Sequence, residues 1–178
     1  MESSKRFGRL VIEHLPALRR YALGLSGNRT AADDLVQDCI EHALRRMDSL
    51  RREERMAAWL RTILFNLFIS GRRTAGRRGQ TLDVQTLYHI VDDKTSQPDL
   101  SQEVNEVLDA ISALTPLYRQ VLVLVAVEGL SYQDTAKELG VPIGTVMSRL
   151  ARARDQLREI LTTQPALGFA PEQRGTAR

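Results

Sequence analysis

Residues 144–154 set small side chains among cations: Gly144, Thr145, Met147, Ser148, Arg149, Ala151, Arg152 and Arg154. That mixture suits nucleic acid, because small residues let a helix approach a groove and arginines reach phosphates or guanine edges. An ordinary helical hairpin with a solvated basic face is the plainer alternative. A second cationic set, Arg51, Arg52, Arg55, Arg61, Arg72 and Arg73, is interleaved with Trp59 and Asn66. Rings beside arginines suit a single strand: bases stack for about 1–3 kcal/mol each while cations follow the backbone. Trp59 and its neighbour Phe65 could equally be core aromatics. A third set is anionic: Asp33, Asp34, Gln37, Asp38 and Glu41. Acids near a helix start favour the macrodipole, but acceptors reaching Glu41 also fit a protein partner.

No set here does covalent chemistry. His14, His42 and His89 are scattered, and there is no phosphate-binding glycine loop. Cys39 and His42 share a helix face, but two ligands do not make a metal site. The expectation is a binding protein with no enzymatic activity, no cofactor and no metal.

The elements that must hold these residues are helices. Ser131 is a suitable N-cap with Asp134 three residues on, and Gly140 can take the left-handed conformation that ends a short helix. Pro142 suits the first turn of the next. Val146, Leu150, Ala153 and Leu157 recur at helical spacing as its buried seam, with Ala136 at the crossing. Two short helices joined by a glycine turn make a helix-turn-helix.

Upstream, apolar residues from Phe7 to Leu25 have helical spacing, and Pro16 predicts a break near Leu15. Thr30, with Asp33, is the expected cap of the next helix, whose stripe runs through Leu35, Val36, Cys39, Ile40, Ala43, Leu44 and Met47. Residues 48–55 read as an arginine-rich loop. A third helix, from about Glu53 to Arg73, turns Met56, Leu60, Ile63, Leu64, Leu67 and Phe68 inward. Periodicity then fails through a glycine- and polar-rich stretch interrupted by Leu82, Val84, Leu87, Tyr88, Ile90 and Val91. It resumes near Leu100, with Val104, Val107, Leu108, Ile111 and Leu114 as expected buried positions. Thr115-Pro116 opens a further helix that ends at Gly129. The predicted class is all-α: a helical bundle over 5–75, a flexible linker over 76–99, and a second bundle with the helix-turn-helix over 100–162. The glycine- and proline-bearing tail, 163–178, reads as disordered.

The 178 residues carry a net charge of only +3, but its distribution is uneven. Separated basic stripes and an acidic segment fit a nucleic-acid partner plus a second partner. The lone cysteine excludes an intrachain disulfide and fits a reducing cytosol. No apolar run is long enough for a membrane span, and no signal-peptide pattern opens the chain. The expected location is cytoplasmic.

Three motifs in one order resemble the sigma factors of bacterial transcription initiation, in their extracytoplasmic-function class. They are Ala-Asp-Asp-Leu-Val-Gln-Asp at 32–38, Ala-Trp-Leu-Arg-Thr-Ile-Leu-Phe-Asn at 58–66, and the helix-turn-helix from Gly129 to Arg154. The turn at 25–28 with its following helix also resembles the alphaproteobacterial general-stress type. The resemblance implies that Asp34, Gln37 and Asp38, with flanking Asp33 and Glu41, dock on the clamp-helix coiled coil of core RNA polymerase. It implies that the loop 49–55 and the helix bearing Arg61 and Asn66 read the minus-10 element of promoter DNA as a single strand. Ser148 and Arg152, with Met147, Ala151 and Thr145, would face the minus-35 major groove, while Arg149 and Arg154 hold phosphates. It further implies an anti-sigma factor as a partner and a monomer when free. Met147 departs from the family, whose members often carry Lys or Arg there. Two alternatives are a sigma-like decoy that sequesters an anti-sigma factor and a conventional helix-turn-helix regulator.

Overall fold

The computed structural model describes residues 2–50, 52–77 and 102–163, with side chains for 6–50, 52–72 and 104–162. Among these residues there is no strand. The first three helices are α1 (Glu2–Ser26), α2 (Arg29–Arg45) and α3 (Met56–Arg77), with 3-10 turns at Met47–Ser49 and Glu53–Arg55 between the last two. They pack on one another around Val11, Leu18, Tyr21, Leu25, Val36, Cys39, Met56, Leu60 and Leu64. The other four are α4 (Gln102–Ser112), α5 (Pro116–Leu122), α6 (Tyr132–Leu139) and α7 (Ile143–Thr163), and a π-helical turn, Val123–Val127, extends α5. Their core gathers Leu114, Val121, Leu122, Ala136, Val146, Leu150 and Ala153. The expected linker from residue 78 onward and the tail from 164 lie outside the described residues.

Three local expectations are corrected. Helix α1 runs unbroken through Pro16. Proline at that point removes one backbone donor, and burial of Val11, Leu18, Tyr21 and Leu25 on one continuous stripe outweighs the loss. Asn28, rather than Thr30, caps α2: its Oδ1 accepts from the Ala31 N–H at 3.0 Å. Helix α2 therefore begins two residues earlier than a Thr30 cap implies. Val104 and Val107 are each 42% exposed, not buried, because α4 turns Leu108 and Ala110 inward, with Leu114 buried just beyond its end.

The two cores are not independent. Val123 and Leu124, from the π turn, complete the first core, and Leu130 and Leu139 pack against it. Helix α1 lies against α4, α5 and the π turn. The approach depends on Gly24: a Cβ there would meet both methyl groups of Val123 at 2.9 Å. Val123 is fully buried and β-branched, so it has little freedom to yield.

Polar groups line the rest of this contact. Arg119, 1% exposed, sends one Nη to the Leu25 carbonyl and the other to the Leu114 carbonyl at 3.0 Å. Its guanidinium also lies over the Phe68 ring, 5.6 Å from the centroid. Burial, with Arg72 nearby, pushes the Arg119 pKa down to about 9, so it stays cationic at neutral pH. Gln120 donates to the Tyr21 hydroxyl at 3.4 Å, and Arg20 sits 3.5 Å from the nearly buried carboxylate of Glu128.

Gly24→Ala is expected to lower stability by about 1–3 kcal/mol through overpacking. Combined with Val123→Ala, it should cost less than the sum of the two single changes, because the second removes the methyls that the first strikes. Thermal unfolding of the four chains checks this; additive losses would show that α1 and the π turn do not meet there.

Candidate polymerase and nucleic-acid surfaces

The helix-turn-helix forms as its caps dictate. The Ser131 Oγ accepts from the Asp134 N–H at 3.0 Å, and Gly140, at φ 63°, ends α6 in the left-handed region. The Val141 N–H then donates to Ala136, and Pro142 accepts from Thr145 at the start of α7. Val146, Leu150 and Ala153 are buried, which fixes the rotation of α7 about its axis. Gly144, Met147, Ser148, Ala151, Arg152 and Arg154 are consequently exposed, and Thr145 and Arg149 half-buried. The Ser148 Oγ donates to the Thr145 carbonyl at 3.1 Å. Arg152 donates through Nη1 to the Tyr118 hydroxyl of α5 at 3.3 Å, a contact that holds the guanidinium more tightly and pushes its pKa up. Tyr118 looks from sequence like one more apolar position of its helix, and its hydroxyl is the only hint of a second use.

The second cationic set is partly gathered. A groove of about 720 Å³ opens between the loop before α3, α3 itself and α6. Arg52, Arg55, Trp59 and Arg61 line it from the first unit, and Lys137 and Glu138 from the second. Trp59 is half-buried and meets Phe7 edge-on, with centroids 6.2 Å apart, so one side of the indole is core and the other faces the groove. Asn66 is exposed on α3 but does not line the groove. Arg72 is half-buried over the Phe68 ring, its pKa pushed down by burial. Arg51 and the Arg73 side chain lie outside the described residues.

Arg61 corrects the expectation of a free basic surface. Its side chain is 12% exposed and forms a two-pronged ion pair with Glu138 of α6, itself 6% exposed, at 2.7 and 2.5 Å. Desolvation alone would pull its pKa down, but the hydrogen bonds and charge of Glu138 outweigh it and the net direction is up.

The anionic set lies on one open surface. Asp33, Asp34, Gln37, Asp38 and Glu41 are all exposed on α2. Described ion pairs engage Asp33, with Arg19 at 3.9 Å, and Glu41, with Arg45 at 3.3 Å. With α2 starting at Arg29, Asp33 and Asp34 fall beyond its first turn, where the macrodipole has faded. Dipole compensation therefore does not explain them. Cys39 lies beneath this surface; its thiol donates to the Leu60 carbonyl and burial pushes its pKa up to about 12, so it is inert. Among the described residues no three His, Cys, Asp or Glu side chains cluster as metal ligands, and no helix is long and apolar enough to cross a membrane.

Two family models divide the chain much as its helices do: residues 11–68 match the Sigma2 domain of PhyR, and 105–157 match Sigma-70 region 4. A relative from Rhodopseudomonas palustris, ECF RNA polymerase sigma factor EcfG, is 39% identical over 91% of this chain and 88% of its own length. The chain belongs to the ECF RNA polymerase sigma factors. Among solved structures, the sigma factor RpoE of Bartonella quintana, in complex with the anti-sigma factor NepR, superposes at a TM-score of 0.70 with 34% identity, over 90% of this chain and 99% of that one. The sigma-like part of PhyR from Sphingomonas sp. Fr1, in complex with NepR, gives a TM-score of 0.54 with 26% identity, over 97% and 96%. Within the family the chain is therefore similar to the alphaproteobacterial general-stress type.

In this sigma factor Met147 is 53% exposed on the outer face of α7. Met147→Arg should leave folding within about 0.5 kcal/mol of the parent. It should also steepen the salt dependence of duplex binding by about one unit in log K against log salt. A salt titration of promoter-duplex binding reads this out; an unchanged slope would place residue 147 away from DNA.

Proposed function

We propose that the chain is an alternative sigma factor whose two helical units, 5–75 and 100–162, share the reading of one promoter. The acceptors of α2 dock on core RNA polymerase, where carboxylates meet arginines of a coiled coil. The loop before α3, with Arg51, Arg52 and Arg55, and α3 with Trp59, Arg61, Asn66, Arg72 and Arg73 take the opened minus-10 strand. Helix α7 takes the minus-35 duplex: Ser148 and Arg152, flanked by Thr145, Met147 and Ala151, face base edges, and Arg149 and Arg154 hold phosphates. The polymerase supplies the chemistry, and this chain supplies specificity and melting without an enzymatic step or a cofactor of its own. It works as a monomer in the cytoplasm, held in check by an anti-sigma factor of the kind seen with the Bartonella relative.

One observation carries the reading: a single chain holds an open carboxylate surface on α2, exposed arginines at 52 and 55 before α3, and an open cationic face on α7. A conventional helix-turn-helix regulator has no use for the first two. The decoy reading draws on the match of residues 11–68 to the Sigma2 domain of PhyR. A decoy would retain an anti-sigma factor in a pull-down and leave core polymerase behind.

Runoff transcription with purified core polymerase separates these readings. The chain should give promoter-specific transcripts. Asp34→Lys combined with Asp38→Lys should weaken core binding by about tenfold or more, most at low salt, while leaving duplex minus-35 binding intact. No transcript from any promoter of a genomic library would overturn the assignment.

A further inference from the structure

The arginines of α7 are not held alike. Arg149 and Arg154 make no described side-chain hydrogen bond or ion pair, which suits cations that follow phosphates. Arg152, exposed on the same helix, donates through Nη1 to the Tyr118 hydroxyl at 3.3 Å. Asp155, three residues on, pairs with Arg158 instead. The acceptor for Arg152 therefore comes from another helix. Helix α5 packs on α7, and the Tyr118 ring is half-buried against the core of Val121, Val146 and Leu150. A packed ring has little freedom, so its hydroxyl is a fixed point. An exposed arginine has far more rotamer freedom to lose.

The nitrogen that is used matters. Nη1 stands on the Cδ side of the planar guanidinium. The opposite edge, Nε with Nη2, keeps two parallel N–H donors that no described hydrogen bond engages. Such a fork matches the O6 and N7 acceptors of a guanine in the major groove. We propose that Tyr118 is a positioning residue for promoter reading: its hydroxyl holds Arg152 by one edge so that the other edge meets a guanine of the minus-35 duplex. The inference rests on the reading of α7 as the minus-35 helix, and it gives a role to a residue outside that helix. Tyr118 makes no base contact itself. It selects one arrangement of Arg152 before DNA arrives, which leaves less ordering to be done on binding. A neutral hydroxyl also leaves the charge of the guanidinium uncompensated for the groove.

The test uses the full chain bound to core polymerase and selects duplexes from a pool randomised over the minus-35 element. The parent, Tyr118→Phe, Arg152→Ala and the double variant are compared. Tyr118→Phe keeps the ring that packs and removes only the hydroxyl. Each base preference is a ratio within one sample, so any loss of folded protein cancels. Arg152→Ala should abolish a guanine preference at one position, which identifies the base pair. Tyr118→Phe should lower that same preference by about three- to tenfold, the scale of one hydrogen bond, and leave other positions unchanged. In the Arg152→Ala chain, removing the hydroxyl should change nothing further. An unchanged guanine preference in Tyr118→Phe, beside a lost one in Arg152→Ala, overturns the positioning role alone. A loss of affinity equal across all sequences and persisting in the Arg152→Ala chain also overturns it, and would make the hydroxyl a phosphate donor in its own right. Preferences that all survive Arg152→Ala reject the reading of α7, and the role of Tyr118 falls with it.

Discussion

One guanidinium ties the two halves of the molecule together. Arg119 enters a nearly dry space beside the end of α1, and it supplies donors to the Leu25 carbonyl of that helix and to the Leu114 carbonyl in the turn after α4. Helix C-termini leave their last carbonyls without intrahelical partners and carry partial negative charge. A buried cation there is balanced by dipoles rather than by a carboxylate, and Phe68 adds a ring face. The position of α5 follows from this contact, and with it the π turn that completes the first core and the helix-turn-helix that follows.

The remaining contacts between the units combine buried apolar side chains with paired charges. A buried ion pair is weak evidence of stability: removing one partner costs about 3–5 kcal/mol, yet replacing both with well-packed apolar residues is often neutral or better. Arg61 and Glu138 therefore specify one docked geometry more than they strengthen it. The apolar part of the contact, Val123 and Leu124 in the first core with Leu130 and Leu139 against it, supplies the burial that the ion pair does not. Charged groups on each side leave both surfaces compatible with water, and on the α3 side with a phosphate backbone.

The helices themselves were legible because caps and spacing act locally. Ser131, Gly140 and Pro142 define the helix-turn-helix without reference to anything distant, and the seam of Val146, Leu150 and Ala153 sets which side of α7 faces out. Sequence and structure part where packing outweighs local preference. Pro16 reads as a break but is carried through by a continuous buried stripe, and Val104 and Val107 follow an apolar period that α4 leaves partly in solvent. Asn28 is the less conspicuous cap, because Thr30 with Asp33 resembles a capping box. The meeting of the two units was not legible at all. Arg119 sits in the apolar run Pro-Leu-Tyr-Arg-Gln-Val-Leu as an anomaly, and nothing in its neighbours says that its acceptors lie at the end of α1. Arg61 and Glu138 are far apart in sequence and ordinary in type, so only the folded chain pairs them.

The central claim is that α2 meets core RNA polymerase while the outer face of α7 meets the minus-35 duplex of the same promoter. Photocrosslinking from residue 37 and from residue 148, in a transcribing complex with core polymerase and promoter DNA, tests it most directly. The account predicts a crosslink to a polymerase subunit from residue 37 and to duplex DNA from residue 148. The absence of both crosslinks in a complex that makes transcripts would contradict it.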